Sequence, residues 1–263
     1  MSKAFVDTTI LVDVLLKTGS QHNNAKTVLE SFDETELPVY AIKEFSGGAL
    51  QNFVWLHNKF VQTGSFSKTI GMLHAVSRTP KRYLTSTAIE ALQEAVASAP
   101  ESKMTAKELY EKYGDDAATL DAIQADSYRL ELKARILDAW SRRRAVTSSV
   151  VEKLDCYLEK DPTQSMKIIK LNSNACQGRC AVAKRLREFP GDLNGIITVL
   201  KKEQGNEAAR RHKALKEIKR KPKSDVTKNQ CRNFGDAVFC ILAPADSSII
   251  TTNERDFRPL ATA

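Results

Sequence analysis

The sequence predicts an α/β fold built from both ends of the chain, with a central parallel sheet and a large, mainly helical insertion between the ends. Three observations predict it. Residues 1–60 read strand, helix, helix, strand, helix. Strand signals then fade from 61 to 228. The grammar of alternating strand and helix returns over 229–263.

The first strand is Ala4 to Asp7, short and apolar up to its last residue, and a helix follows with Ile10, Leu11, Val14 and Leu15 at helical spacing. Gly19-Ser20 is expected to end that helix, and a second one to cover Asn23 to Phe32. After the acidic stretch Asp33 to Glu36, a brief strand is expected over Leu37 to Tyr40. One helix from about Lys43 to Phe60 carries Ala49, Leu50, Phe53 and Val54 on one face.

In the insertion, Thr105-Ala106-Lys107-Glu108 has the spacing of a helix capping box, and Asp115 to Arg144 contains many strong helix formers and few breakers. Pro162, Pro190-Gly191 and Pro222 punctuate the rest of the insertion. At the C-terminal end, Asp236 opens an apolar helix through Ala243, and Ser248 to Thr251 reads as a buried strand.

Charge divides the chain the same way. The net charge is +8, yet residues 1–57 carry −3 and residues 231–263 carry −1, so the middle supplies +12. Within it, residues 201–223 hold ten Lys/Arg against three Asp/Glu. Such an excess attracts polyanions, nucleic acid foremost, because neutralised phosphates release condensed counterions. Arg142, Arg143, Arg144, Arg210, Arg211 and Lys213 are the candidate contacts to a nucleic-acid backbone.

No stretch approaches the roughly eighteen apolar residues of a membrane span, and the start lacks the pattern of a secretory signal, so a soluble cytoplasmic protein without a membrane partner is expected. Five scattered cysteines, at 156, 176, 180, 231 and 240, do not form a disulfide framework. Cys176 and Cys180 lack the second pair or neighbouring histidine that a zinc site needs, and His22, His57, His74 and His212 are dispersed. Trp55 and Trp140 read as packing residues.

The chemistry is carried by carboxylates. Asp7 stands where the first strand ends, Glu44 near a helix start, Asp236 at the head of an apolar helix, and Asp256 in the loop after the last strand. Singly, each has a plain reading as a helix cap, a partner of the helix dipole or a surface charge. Together they fall on one edge if the sheet is parallel, where ligand sites of open α/β sheets lie. Carboxylates gathered there repel unless a cation neutralises them, and an all-oxygen donor set suits Mg²⁺ or Mn²⁺.

Four segments, taken in order, resemble the PIN-domain family, most closely the VapC-type toxin ribonucleases. They are Val6-Asp7-Thr8-Thr9-Ile10-Leu11-Val12-Asp13, Tyr40-Ala41-Ile42-Lys43-Glu44-Phe45, Gly235-Asp236-Ala237, and Ile249 through Phe257. The resemblance implies a three-layer α/β/α sandwich and Mg²⁺- or Mn²⁺-dependent hydrolysis of RNA. It further implies Asp7, Glu44, Asp236 and Asp256 as the catalytic and metal-binding acids, with Thr8, Thr251 and Asn253 orienting ligands and waters. Asn253 and Asp256 share the fourth position, and Asp256 is favoured as the charged member. A cognate antitoxin and a homodimer are expected partners. The match covers about a third of the chain, and the 192 positions separating Glu44 from Asp236 far exceed what a compact domain of this kind needs. A catalytically inactive RNA-binding or scaffold protein and a DNA nuclease are the competing readings.

Overall fold

The computed structural model describes residues 2–78, 83–100, 104–151, 162–165, 168–171, 181–220, 226, 230–231 and 233–261. Its centre is a four-stranded, all-parallel sheet in the order β3-β2-β1-β6, formed by Lys3–Val6 (β1), Glu34–Pro38 (β2), Ser149–Val151 (β3) and Ser247–Ile250 (β6). Parallel strands covered on both faces read as continuous apolar runs. Ala4, Phe5 and Val6 of β1 are accordingly all fully buried, between β2 and β6.

Both ends of the chain meet across β1, which pairs Phe5 with Glu36 on one side and with Ile249 on the other. The expected assembly of the sheet from distant segments is therefore observed. Aromatic packing reinforces it: the Phe239 ring lies edge-on to Phe5 and Tyr40, with centroids 6.4 and 5.7 Å away, and 5.9 Å from Phe257.

The first helices are α1 (Thr8–Leu16) and α2 (Gly19–Glu30). Gly19-Ser20 thus opens α2 rather than merely closing α1, with Gly19 taking φ +65°, a conformation glycine adopts without steric cost. The strand β2 begins at Glu34, earlier than the expected Leu37. Its acids occupy the less buried alternate positions while Thr35 and Leu37 point inward, so an acidic stretch conceals a period-two strand.

The single helix expected from Lys43 to Phe60 is two, α3 (Val39–Gly47) and α4 (Ala49–Thr63), broken at Gly48. A Cβ at Gly48 would stand 2.8 Å from the Glu44 carbonyl oxygen, so the break needs glycine. It leaves Glu44 on a short helix of its own directly after β2.

Helices dominate the middle of the chain: α5 (Phe66–Ser77), α6 (Tyr83–Ser98), α7 (Ala106–Tyr113) and α8 (Ala117–Arg142). The capping box at Thr105 and Glu108 is formed, and Asp116 caps α8. Two features lack a clear sequence signal. The strand β3 joins the central sheet beside β2, and β4 (Thr163–Ser165) pairs antiparallel with β5 (Ile168–Lys170). Three-residue strands are too short to show a period.

Further helices are α9 (Ala181–Arg187), α10 (Pro190–Lys202), α11 (Asn206–Arg220), α12 (Asp236–Leu242) and, after β6, α13 (Glu254–Ala261). Cys156, the Cys176/Cys180 pair and Pro222 lie outside the described residues, while Cys231 and Cys240 are thiols without a disulfide. Among the described residues no helix is long and apolar enough to cross a membrane.

Candidate active site

Parallel pairing puts the carboxyl ends of β1, β2 and β6 on one edge, and each strand hands over there to a polar residue or a helix. Asp7 follows β1, with its amide donating to the Ile250 carbonyl at 3.0 Å. It caps α1 and is only 3% exposed. Its Oδ2 accepts hydrogen bonds from the Thr9 and Thr251 hydroxyls, both at 2.8 Å. The cap reading holds, and the Thr251 hydrogen bond also ties the carboxylate to the segment after the last strand.

Thr251 ties the last strand to the first. Its hydroxyl also accepts from the Asn253 amide at 2.9 Å, and the Thr252 amide donates to Thr9 Oγ1 at 3.0 Å. Thr8, one residue from Asp7, donates instead to Glu44 Oε2 at 2.9 Å. The adjacent threonines therefore divide their hydroxyls between two acids. Thr9 is absent from the residues expected at the site, although the Thr-Thr doublet after Asp7 is its signal.

Glu44 is partly buried on α3. Burial pushes its carboxyl up to about 7, and the nearby Asp7 charge adds to this, while hydrogen bonds from the Thr8 and Tyr40 hydroxyls pull the other way. Asp236 opens α12 with its side chain 13% exposed. Burial pushes it up to about 6; Arg211 opposes the shift, and Asp7 and Asp256 add to it. Asp7 is likewise raised by burial, against the Thr251 and Thr9 hydrogen bonds. Asp7 thus lies within electrostatic range of both Glu44 and Asp236.

Asp256, with its side chain 34% exposed, accepts from Asn253 Nδ2 at 3.0 Å and pairs with Arg211 at 3.3 Å. Asn253 and Asp256, alternatives for one position in the sequence reading, therefore stand together. Arg211 also pairs with Asp236 Oδ2 at 2.8 Å and with Glu207 at 2.9 Å. Read as a contact to RNA, it is found among the acids.

Gly235, before Asp236, has φ +43°, a region that costs other residues on the order of 1–3 kcal/mol. It turns the chain into α12.

The other basic candidates lie elsewhere. Arg142 pairs with Asp138 at 3.0 Å, and Arg143 is buried with its guanidinium 3.7 Å from the Trp140 ring centroid. Arg210 and Lys213 are exposed on α11.

A hard divalent ion fits the chemistry of this donor set, which is all oxygen. Asp236 Oδ2 supports the fit: it is buried without a hydrogen-bond partner, its contact with Arg211 being an ion pair outside hydrogen-bonding geometry. As the side chains stand, no three His, Cys, Asp or Glu groups among the described residues are gathered closely enough to hold an ion. Cys240 offers no thiolate, since burial first, and Asp236 and Asp7 next, push its thiol up to about 12. Compared with known proteins, the chain matches no family model, no curated protein and no solved structure.

Proposed function

We propose that this chain is a metal-dependent endoribonuclease with a PIN-like three-layer fold, VapC-like in its acidic residues. The observation that supports it best is that Asp7, Glu44 and Asp236 stand within electrostatic range of one another by the carboxyl edge of a parallel sheet, from segments up to 229 positions apart. Clustering buried acids costs stability, and such sites concentrate where chemistry requires them.

In this reading Asp7, Glu44 and Asp236 hold Mg²⁺ or Mn²⁺, with Asp256 at the margin. When bound, the ion supplies a water nucleophile at neutral pH and stabilises charge developing on the phosphate. The Thr9 and Thr251 hydroxyls fix Asp7, and Thr8 fixes Glu44, so both carboxylates are oriented before substrate arrives. Arg210 and Lys213 on the exposed side of α11 attract the RNA backbone and hold it by its phosphates, without reading its sequence.

The scaffold reading is favoured by one observation, the Arg211 guanidinium standing between Asp236 and Asp256. Purified protein incubated with a structured RNA at fixed salt decides between them. Cleavage that needs Mg²⁺, stops with EDTA and spares a DNA of the same sequence is the expected result. Intact RNA at all Mg²⁺ and Mn²⁺ concentrations would favour the scaffold.

A further inference from the structure

An amine and a thiol meet beneath the surface, Lys43 of α3 and Cys231, from segments 188 positions apart. Lys43 Nζ donates to Cys231 Sγ at 3.1 Å. One turn earlier on α3, the Tyr40 hydroxyl donates to the Cys231 carbonyl at 3.2 Å, and Lys43 Nζ stands 5.9 Å from the centre of the Tyr40 ring. Positions three apart on a helix lie on one face, so α3 grips residue 231 at two points and fixes the amine against the sulfur.

Cys231 is buried and Lys43 half-buried. In thiol oxidation the thiolate is the nucleophile, and an ammonium beside the sulfur favours it. Cys240 is the contrasting case among the described residues. It is half-buried, but its charged neighbours Asp236 and Asp7 are acids, which add to burial in pushing its thiol up to about 12. Of these two cysteines, the less exposed one therefore has the surroundings that favour reaction.

We propose that Lys43 and Cys231 form a redox-dependent cross-link site, at which hydrogen peroxide joins Nζ to Sγ through a covalent S–N bond. The Cys231 thiolate attacks one peroxide oxygen, so that an S–O bond forms as the O–O bond breaks. The departing hydroxide takes a proton from the Lys43 ammonium and leaves as water. The freed amine attacks the sulfur of the sulfenic acid; the S–N bond forms, the S–O bond breaks, and the leaving hydroxyl carries off an amine proton as a second water. Sulfur loses two electrons in all, and one peroxide is reduced to two waters. The new bond ties the helix that carries Glu44 to the segment leading, five positions on, into Asp236. It uses none of the acids and stands independently of the nuclease reading.

Mass spectrometry of the full chain, treated with hydrogen peroxide, blocked with iodoacetamide and digested, tests this. The expected product is a joined peptide pair containing Lys43 and Cys231, lighter by two hydrogens than the separate peptides and returned to both by dithiothreitol. It is expected from the native chain and lost when the chain is unfolded in urea before treatment. Lys43→Arg keeps the positive charge beside the sulfur but is expected to lose the joined pair, leaving Cys231 as a sulfenic acid that dimedone traps. The proposal is overturned if wild-type Cys231 stays reduced, stops at the sulfenic acid or pairs with another cysteine. It is equally overturned if Cys240 reacts ahead of Cys231, or if the joined pair persists in Lys43→Arg or forms as readily in urea. Should Lys43→Arg fail to fold, the wild-type chain with and without urea decides.

Discussion

Replacing Asp7 with Asn is expected to reduce divalent-ion-dependent RNA cleavage by on the order of 10³-fold or more while leaving the thermal unfolding transition in place. The two halves of this result follow from different properties of one side chain. Asparagine caps a helix as well as aspartate does, and its oxygen can accept the hydrogen bonds now donated by Thr9 and Thr251. A neutral side chain also suffers less from burial at a position 3% exposed. What asparagine cannot supply is the negative charge for a divalent ion. Initial rates on a defined RNA, set beside melting curves, separate the two. Full activity in Asp7→Asn would end the assignment, and lost activity accompanied by lost folding would make Asp7 a structural cap.

Without divalent ions, the protein is expected to lose stability as pH rises from about 4 to 7. Glu44 is raised from 4.5 to about 7 and Asp236 from 3.8 to about 6, so between those values the folded chain holds protons that the unfolded chain has released. Stability rises with pH only where the unfolded state binds more protons; here the folded state does, and the slope is negative. At roughly 1.4 kcal/mol per pH unit, Glu44 alone accounts for up to roughly 3 kcal/mol, on the order of 5–10 °C in a chain of this size. Acids such as Asp116 and Asp121, whose carboxyls are lowered by hydrogen bonds, lose their contribution only at more acidic pH.

If the proposed site binds it, Mg²⁺ is expected to act in the opposite direction, favouring the ionised carboxylates and so stabilising more at pH 8 than at pH 5. Melting curves in EDTA and in Mg²⁺ across this range measure both effects. Glu44→Gln should flatten the metal-free slope. A flat profile in wild type would mean that the acids do not share a buried locus.

The parts of the fold legible in the sequence are those where periodicity and burial coincide. The run Ala4-Phe5-Val6 is buried on every side, which a central parallel strand requires, and the apolar helix after Asp236 is equally plain. Missed elements had their signals overwritten. In β2, acids sit at the more exposed positions of a half-buried strand, and β3 is three residues long. The break between α3 and α4 is made by a glycine whose necessity shows only once the Glu44 carbonyl is placed beside it.

The candidate site divides in the same way. Asp7 and Asp236 could be located because one follows a strand end and the other opens a helix, and parallel topology turns such positions into one edge, whereas Glu44, expected at a helix start, is the sixth residue of α3. The place of Arg211 could not be read from sequence. It lies in a basic run whose other described cations face solvent, and only the docking of α11 selects the one that turns inward.

An anomalous difference map from crystals of the wild-type chain soaked in Mn²⁺ bears most directly on the claim that buried acids from both ends of the chain exist to hold a metal ion. One strong peak bounded by the carboxylates of Asp7, Glu44 and Asp236 is the result expected. A map with no peak at that edge of the sheet, with Mn²⁺ bound elsewhere or nowhere, would contradict it.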